Sequence, residues 1–287
     1  MSDNPSSSDP NESNNQIESD DQDEMTLPDR SPLPELYKVC ETILSQYVND
    51  KGEVNYSLLR RKRSDLNNAM SYLKNVHPAQ IMALNDNEKQ AFWINTYNLC
   101  TLKLIIDNYP IQPKWYMILY PNNSVMQISD PWTKNYFEIQ GLQYNLREIE
   151  QELLLLRFKD PRICFALSNA TRGGAALRKE PYRAEILSDQ LDDQVKQFLA
   201  SAQGITMEMN TNTAYISNLF NIHRDTFLKS KYAEIKKFRQ RKPDEKAWLN
   251  FLLFFIKDTD KSFFENHDII LKFKKFDWEL NEFSGSQ

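Results

Sequence analysis

Glycine is scarce in this chain, since only six of its 287 residues are glycine. Nucleotide-binding folds with glycine-rich phosphate loops, and folds made only of β-strands, need glycine at turns and at close backbone contacts. The shortage therefore disfavours both classes. Short apolar runs of strand length are spread among longer segments with helical periodicity. This pattern predicts an α+β fold, a helix-rich single domain with a small, mostly antiparallel sheet.

Charge and composition divide the chain into two parts. Residues 1–31 consist mainly of Ser, Asn, Asp, Glu, Gln and Pro, and a segment with so few apolar side chains is expected to form a disordered acidic tail. Residues 1–30 contain nine acidic side chains and one basic side chain. Because the net charge of the whole chain is −5, the remaining residues have a net charge of +3. Residues 32–287 suit a single globular domain. The sequence leaves open whether Met1 or Met25 is the true start.

Composition also bears on compartment, cofactors and partners. The three cysteines are an odd number and lie far apart, which disfavours a disulfide framework or a zinc site, and we expect no cofactor. Reduced thiols and the lack of a signal peptide predict a cytoplasmic protein, with secretion by a non-standard route left open. The most apolar run, residues 248–256, is about half the length of a membrane span. The basic segment 229–246 matches no known nucleic-acid-binding motif, so no nucleic-acid partner is expected.

Periodicity and turn residues place the main elements. The clearest helix prediction covers residues 85–109, with Asp86 as N-cap and Pro110 as the stop. Gln140 and Gly141 indicate a hairpin turn between two short strands. The other predicted helices cover residues 34–48, 146–157 and 188–202. The predicted strands cover residues 136–139, 142–144, 162–167, 205–209, 213–216 and 269–273. Of these, the strand at residues 162–167 is expected to be buried.

Two amides on the 85–109 helix form the first candidate site. Asn95 and Asn98 are three residues apart and lie on one face, next to Trp93 or Tyr97. Amides within a core-forming helix need hydrogen-bond partners, because an unpaired buried amide costs a few kcal/mol. They either brace a neighbouring loop, which is the commoner role, or orient a ligand or a catalytic partner.

The loop at residues 168–174 forms the second candidate site. It contains Asn169, Arg172, Gly173 and Gly174 and leads toward an expected helical start at residues 175–178. Paired glycines allow a ligand to approach the backbone closely, and such a loop before a helix can hold an anion. A tight structural turn explains the same residues and is the commoner feature.

Cys164 is the third candidate. Strand alternation over 162–167 places it on the same side as Arg162, and a guanidinium close to a thiol would lower the pKa of that thiol. A small inert core residue is the simpler interpretation. The chain also has His77, His223 and His267, which show no metal-ligand spacing and no acidic partner at an offset typical of a catalytic pair. The residues alone therefore indicate no catalytic triad.

Five segments of the chain, taken in order, carry a family resemblance. They are AFWINTYN (91–98), the run from FEIQGLQYN to RICFAL (137–167), the run from ALRKEPYR to VKQFL (176–199), ISNLFNIHRDTF (216–227) and FKKFDWELN (273–281). These segments resemble the domain of unknown function 547 family, and the resemblance extends over roughly residues 34–283. The resemblance implies a remote relation to papain-like cysteine peptidases or transglutaminases.

The departures from the family pattern concern reactive side chains. Family members usually carry a His after the Ile-Glu pair, a second His before Phe-Ala-Leu, a Cys in the following loop and a Cys-Pro pair. This chain has Gln151, Cys164, Asn169 and Gly174-Ala175 at those places. If the family Cys and His form a catalytic pair, this chain has lost it, because amides neither ionise nor accept a proton near neutral pH.

Three hypotheses follow, and the sequence does not decide whether the chain is an enzyme. The first is a pseudoenzyme, a divergent family member that binds a peptide or small anionic ligand in a cleft between the 91–98 helix and the 168–174 loop. The second is a thiol-dependent hydrolase or transferase that uses Cys164, with His223 as partner. The third is a protein-interaction scaffold that uses the acidic tail and the 229–246 segment. The cleft of the first hypothesis would be lined by Trp93, Asn95, Asn98, Arg162, Asn169, Arg172, Gly173 and Gly174.

Overall fold

The computed structural model of the chain describes residues 31–284, and apart from Ser31 the predicted tail at 1–31 lies outside them. The α+β prediction is confirmed, because helices dominate and the strands form one sheet of two strands and one of three. The helices are α1 (Leu33–Tyr47), α2 (Tyr56–Arg61), α3 (Ser64–Asn75), α4 (Pro78–Ala83), α5 (Asp86–Asn108), α6 (Leu146–Glu148), α7 (Leu156–Phe158), α8 (Leu187–Ala200), α9 (Leu219–Ile222), α10 (Arg224–Leu228), α11 (Lys231–Glu234), α12 (Pro243–Phe255) and α13 (Asp258–Asn266). The strands are β1 (Tyr136–Ile139), β2 (Leu142–Asn145), β3 (Ile205–Glu208), β4 (Thr213–Ile216) and β5 (Ile270–Phe273).

Helix α5 is the central helix, and 16 of its 23 residues are buried, including every residue from 90 to 102. A helix that is covered on every side must be packed by neighbours all round, and α1, α2 and α3 contact it. The predicted N-cap, Asp86, is wrong by one residue. Asn85 caps the helix, because its side chain accepts from the Glu88 amide while the Glu88 carboxylate accepts from the Asn85 amide. None of the helices in residues 31–284 is long and apolar enough to cross a membrane.

Two of the three strand pairings are antiparallel, as predicted. Strands β1 and β2 form a hairpin in which Tyr136 faces Asn145. Strands β3 and β4 pair antiparallel, and β5 joins β4 in parallel with Thr213 opposite Ile270. The hairpin leads directly into α6, a π-helical segment (Ile149–Leu155) and α7, which together replace the single regular helix predicted at 146–157.

The predicted buried strand at 162–167 is wrong, because residues Pro161–Phe165 form a 3-10 helix. The Asp160 side chain accepts a hydrogen bond from the Arg162 amide, and Pro161 at the first position fixes a helical φ. A short apolar run has the same appearance in a buried strand and in a buried helical turn. The expected helical start at 175–178 is also absent, since this stretch lies along the 49–53 turn, where Leu177 donates to the Gly52 carbonyl.

An aromatic cluster fixes the 3-10 helix in the core. Phe165 is fully buried and contacts three rings at centroid distances of 5.1, 5.7 and 5.7 Å. Those rings come from α8, α9 and α12, so one side chain joins four elements. The contacting residues are Phe198, Phe220 and Phe251.

The segment 276–283 returns to hold the 168–174 loop in place. The Gly173 amide donates to the Asp277 carbonyl at 2.8 Å, and the Arg172 amide donates to the Glu279 carbonyl at 2.8 Å. A Cβ on Gly173 would lie 2.7 Å from the Asp277 nitrogen, so glycine is needed here for close approach of the protein's own backbone. The loop is therefore anchored by residues far along the chain.

Candidate functional site

A cavity of about 330 Å³ lies where α5, the π-helical segment, the 3-10 helix, the 168–174 loop, α9 and the 276–283 segment meet. Its walls combine aromatic rings with groups able to donate or accept hydrogen bonds. Its size falls within the range typical of small-ligand pockets. Residues that line it include Tyr97, Gln151, Cys164, Asn169, His223 and Trp278.

The π-helical segment brings two consecutive polar side chains to the cavity. Glu150 and Gln151 both line it, and Gln151 Nε2 donates to Glu150 Oε1 at 3.1 Å. Neighbouring residues of a regular α-helix point about 100° apart, whereas a π-helical turn widens the helix locally. Such turns are often found at functional sites. The local distortion is therefore an independent reason to regard this cavity as the candidate site.

His223 and Glu150 form the central polar pair. His223 Nδ1 lies 3.4 Å from Glu150 Oε1, and both side chains are largely buried. Burial lowers the pKa of His223 below its ordinary value of 6.5, and the negative charge of Glu150 opposes that shift. The imidazole is therefore neutral at neutral pH. The sequence did not indicate an acidic partner for His223, because 73 positions of chain separate the two residues and only the fold brings them together.

Two asparagine side chains line the cavity, and their Nδ2 groups have no hydrogen-bond partner among the described residues. Asn169 Oδ1 accepts from the Thr171 amide at 3.2 Å and from the Thr171 hydroxyl at 2.6 Å. Asn218 Oδ1 accepts from Asn221 Nδ2 at 3.3 Å. Both Asn169 and Asn218 line the cavity. Because each oxygen is occupied and neither Nδ2 bonds to another described residue, the Nδ2 groups are the atoms left for a ligand.

Cys164 lies at the cavity wall but is only 2% exposed. Burial raises the pKa of its thiol well above the ordinary value, and the carboxylates of Glu150 and Asp160 raise it further. The expectation that Arg162 lowers this pKa is wrong. The Arg162 guanidinium instead binds Asp160 at 2.7 Å and Asp192 at 2.6 Å. Cys164 is therefore a protonated thiol at neutral pH.

We expect Cys164 in the native protein to react with iodoacetamide no faster than the buried Cys40 and Cys100, because the thiolate is the reactive species. Mass spectrometry of each cysteine peptide, over a range of pH, measures this. The unfolded protein provides the control, since all three thiols should then react at similar rates. Rapid and selective labelling of native Cys164 at pH 7 would contradict the assignment.

The two amides on α5 both brace neighbouring backbone. Asn95 Nδ2 donates to the Tyr182 carbonyl at 2.7 Å, and its Oδ1 accepts from the Tyr182 amide at 2.9 Å. Asn98 Nδ2 donates to the Ala166 carbonyl at 3.0 Å, and its Oδ1 accepts from the Ser168 amide at 2.9 Å. Asn98 therefore sets where the 168–174 loop begins.

The other predicted lining residues lie elsewhere, so they do not share one cleft. Trp93 is buried against the rings of Phe92 and Tyr144. Arg172 and Gly174 line a separate cleft of about 620 Å³, where the Arg172 guanidinium pairs with Glu279. Of the predicted site residues, Cys164 and Asn169 line the cavity around His223.

Residues 81–199 match the model of a family described as "Protein of unknown function, DUF547". The matched range contains α5, the π-helical segment, Cys164 and Asn169, whereas His223 and Trp278 lie beyond it. Neither the curated proteins nor the solved structures include a significant match to the chain. The three positions where the family resemblance implies His, His and Cys are Gln151, Cys164 and Asn169, and these three residues line the one cavity.

Proposed function

We propose that this chain, whose residues 81–199 belong to the domain of unknown function 547 family, binds a peptide ligand in the cavity around His223 without thiol catalysis. One observation carries the proposal. Gln151, Cys164 and Asn169 meet in a single cavity and contribute two amides and a protonated thiol. These groups bind polar ligands but do not form a thiolate–imidazole pair.

The available donors favour a ligand with a carbonyl or carboxylate oxygen. The Nδ2 groups of Asn169 and Asn218 are free to donate, and Arg147, which also lines the cavity, has an exposed side chain. The ion pairs among the described residues do not include Arg147. Because the Glu150 carboxylate lies in the same cavity, a ligand of high negative charge would be repelled. A peptide with a single terminal carboxylate fits this balance of charge better than a phosphate.

The aromatic rings of the cavity wall offer an apolar surface against which a side chain of such a peptide can pack. Trp132 and Trp278 have ring centroids 6.4 Å apart and line the cavity together with Tyr97. Aromatic rings bury a large apolar area with little loss of conformational entropy. A volume of about 330 Å³ suits one or two residues of a peptide.

The proposal is tested with N-acetylated dipeptides, each prepared as the free acid and as the amide, and with tryptophan fluorescence as the readout. We expect the free acids to bind more tightly, because the carboxylate adds a charge-assisted bond to Arg147. Asn218→Ala and Arg147→Ala should each weaken the free-acid Kd by roughly tenfold, which corresponds to about 1.4 kcal/mol.

The matched control is Arg61→Ala, which removes an exposed arginine of α2 that does not line the cavity. Its Kd should equal that of the unaltered chain. If no dipeptide shifts the fluorescence at millimolar concentration, or if Arg61→Ala weakens binding as much as Arg147→Ala does, the cavity around His223 is not the peptide site.

A further inference from the structure

We propose that the cavity hydrolyses alkyl esters of the carboxyl group of such peptides, with His223 as the general base that activates a water molecule. The inference rests on the proposed function, because the ester must bind where the peptide binds. It differs from the thiol hypothesis in its nucleophile. Glu150 is the positioning residue, since it acts through His223 and not on the substrate.

The geometry of His223 resembles that of a base with an orienting partner. Nδ1 lies 3.4 Å from the Glu150 carboxylate, which favours the neutral tautomer with its proton on Nδ1 and its lone pair on Nε2. No hydrogen bond from another described residue engages Nε2, and the ring lines the cavity. A base that is oriented by one neighbour and open to the substrate on its other side is the arrangement that proton transfer requires.

The donors for the developing negative charge lie in the same cavity. In the reaction, Nε2 takes one proton from water while the water oxygen adds to the carbonyl carbon of the ester. The resulting oxyanion accepts hydrogen bonds from the Nδ2 groups of Asn169 and Asn218, which supplies the stabilisation that acyl transfer needs. The carbon–oxygen bond to the alcohol then breaks, and the departing alkoxide takes the proton from the His223 imidazolium. The products are a peptide acid and an alcohol.

Esters suit this site better than amides as substrates, because the His223 imidazolium is the acid that protonates the leaving group. An alkoxide leaves with less assistance than an amine anion, and a buried imidazolium gives up its proton readily. The Cys164 thiol stays protonated and does not compete with water as the nucleophile. The other charged or titratable groups at the cavity are Tyr97 and Arg147.

The experiment uses the methyl esters of the N-acetylated dipeptides and follows acid release by liquid chromatography. The full chain should hydrolyse them, with a rate that rises with pH and levels off. The midpoint should lie below 6.5, because burial lowers the pKa of His223 and the neutral ring is the active form. His223→Gln should lower kcat at least 100-fold, since general bases contribute about 10²–10⁴-fold.

Two further variants separate positioning from structure. Glu150→Gln should lower kcat with little change in KM and move the midpoint to lower pH, because the carboxylate raises the pKa of His223. Glu150→Asp should recover part of the rate. His267→Gln is the matched control, since the His267 ring lies against Phe263 and not at the cavity, and its rate should equal that of the unaltered chain.

The outcomes distinguish the two proposals. The hydrolysis proposal is overturned if fluorescence shows that the esters bind but no acid is released, or if His223→Gln keeps the full rate. Either result leaves the proposed peptide-binding site unaffected. Failure of both acids and esters to bind would overturn the proposed function and the hydrolysis together. Ester hydrolysis with the expected pH profile, lost in His223→Gln and kept in His267→Gln, supports the inference.

Discussion

Replacing Asn98 with alanine is expected to lower the free energy of unfolding by about 2–5 kcal/mol. Asn98 is 6% exposed and holds the Ala166 carbonyl at 3.0 Å and the Ser168 amide at 2.9 Å. Its removal leaves both backbone groups buried without that partner, and each unsatisfied group costs about 1–3 kcal/mol. Because these groups begin the 168–174 loop, the cavity should lose its shape as well.

Chemical denaturation followed by circular dichroism measures this change, and the dipeptide Kd measures the effect on the cavity. Asn108→Ala is the matched control on the same helix. Its amide donates only to the Leu104 carbonyl one turn earlier and is exposed, so its loss should change stability by about 0.5 kcal/mol or less. Equal effects of Asn98→Ala and Asn108→Ala would show that the brace does not stabilise the fold.

The second large effect is expected at Gly173, where alanine should cost about 3 kcal/mol of unfolding free energy and abolish dipeptide binding. The new Cβ would lie 2.7 Å from the Asp277 nitrogen and 2.8 Å from the Asp277 oxygen. Backbone cannot move aside as a flexible side chain can, so the 276–283 segment must separate from the loop. Trp278 follows Asp277 directly and forms part of the cavity wall, which is why binding should be lost.

Gly141→Ala provides the control for this substitution. Gly141 has φ +75°, and a Cβ there would meet no atom within 4 Å. Alanine should therefore cost about 1–2 kcal/mol through backbone strain alone, with no effect on the dipeptide Kd. Thermal unfolding and fluorescence titration of the two variants make the comparison. If Gly173→Ala binds dipeptides as well as Gly141→Ala does, the contact with Asp277 does not shape the cavity.

Local patterns predicted α5 and the positions of the five strands, but not the site. The apolar spacing along residues 85–109 predicted α5. Because a buried amide needs hydrogen-bond partners, the sequence also favoured a bracing role for Asn95 and Asn98, and both side chains do hold neighbouring backbone. The hairpin at Gln140 and Gly141 followed from turn chemistry. These features depend on neighbours within a few residues, so the sequence reveals them.

The prediction failed where a local pattern fits two structures and where a contact depends on residues far apart in the chain. An apolar run after Asp160 and Pro161 fits a strand as well as a 3-10 turn, although the Asp-Pro pair was a usable signal for the turn. The pairing of His223 with Glu150 depends on contacts across the fold, and no residue spacing in the sequence predicts it. The family resemblance indicated Gln151, Cys164 and Asn169 as a set, but not that His223 completes their surroundings.

The anchoring of the 168–174 loop also has a consequence for how the protein is made. Arg172 and Glu279 are 107 positions apart, and Tyr56 and Asn281 are 225 positions apart, yet each pair is hydrogen-bonded. During synthesis at roughly 5–20 residues per second, the ribosome finishes α5 and the loop many seconds before the segment that closes them has emerged. The helical body therefore has time to collapse first, and the cavity can mature only after residues 276–283 have emerged. For that interval a nascent chain carries an open, aromatic-lined surface that chaperones can recognise.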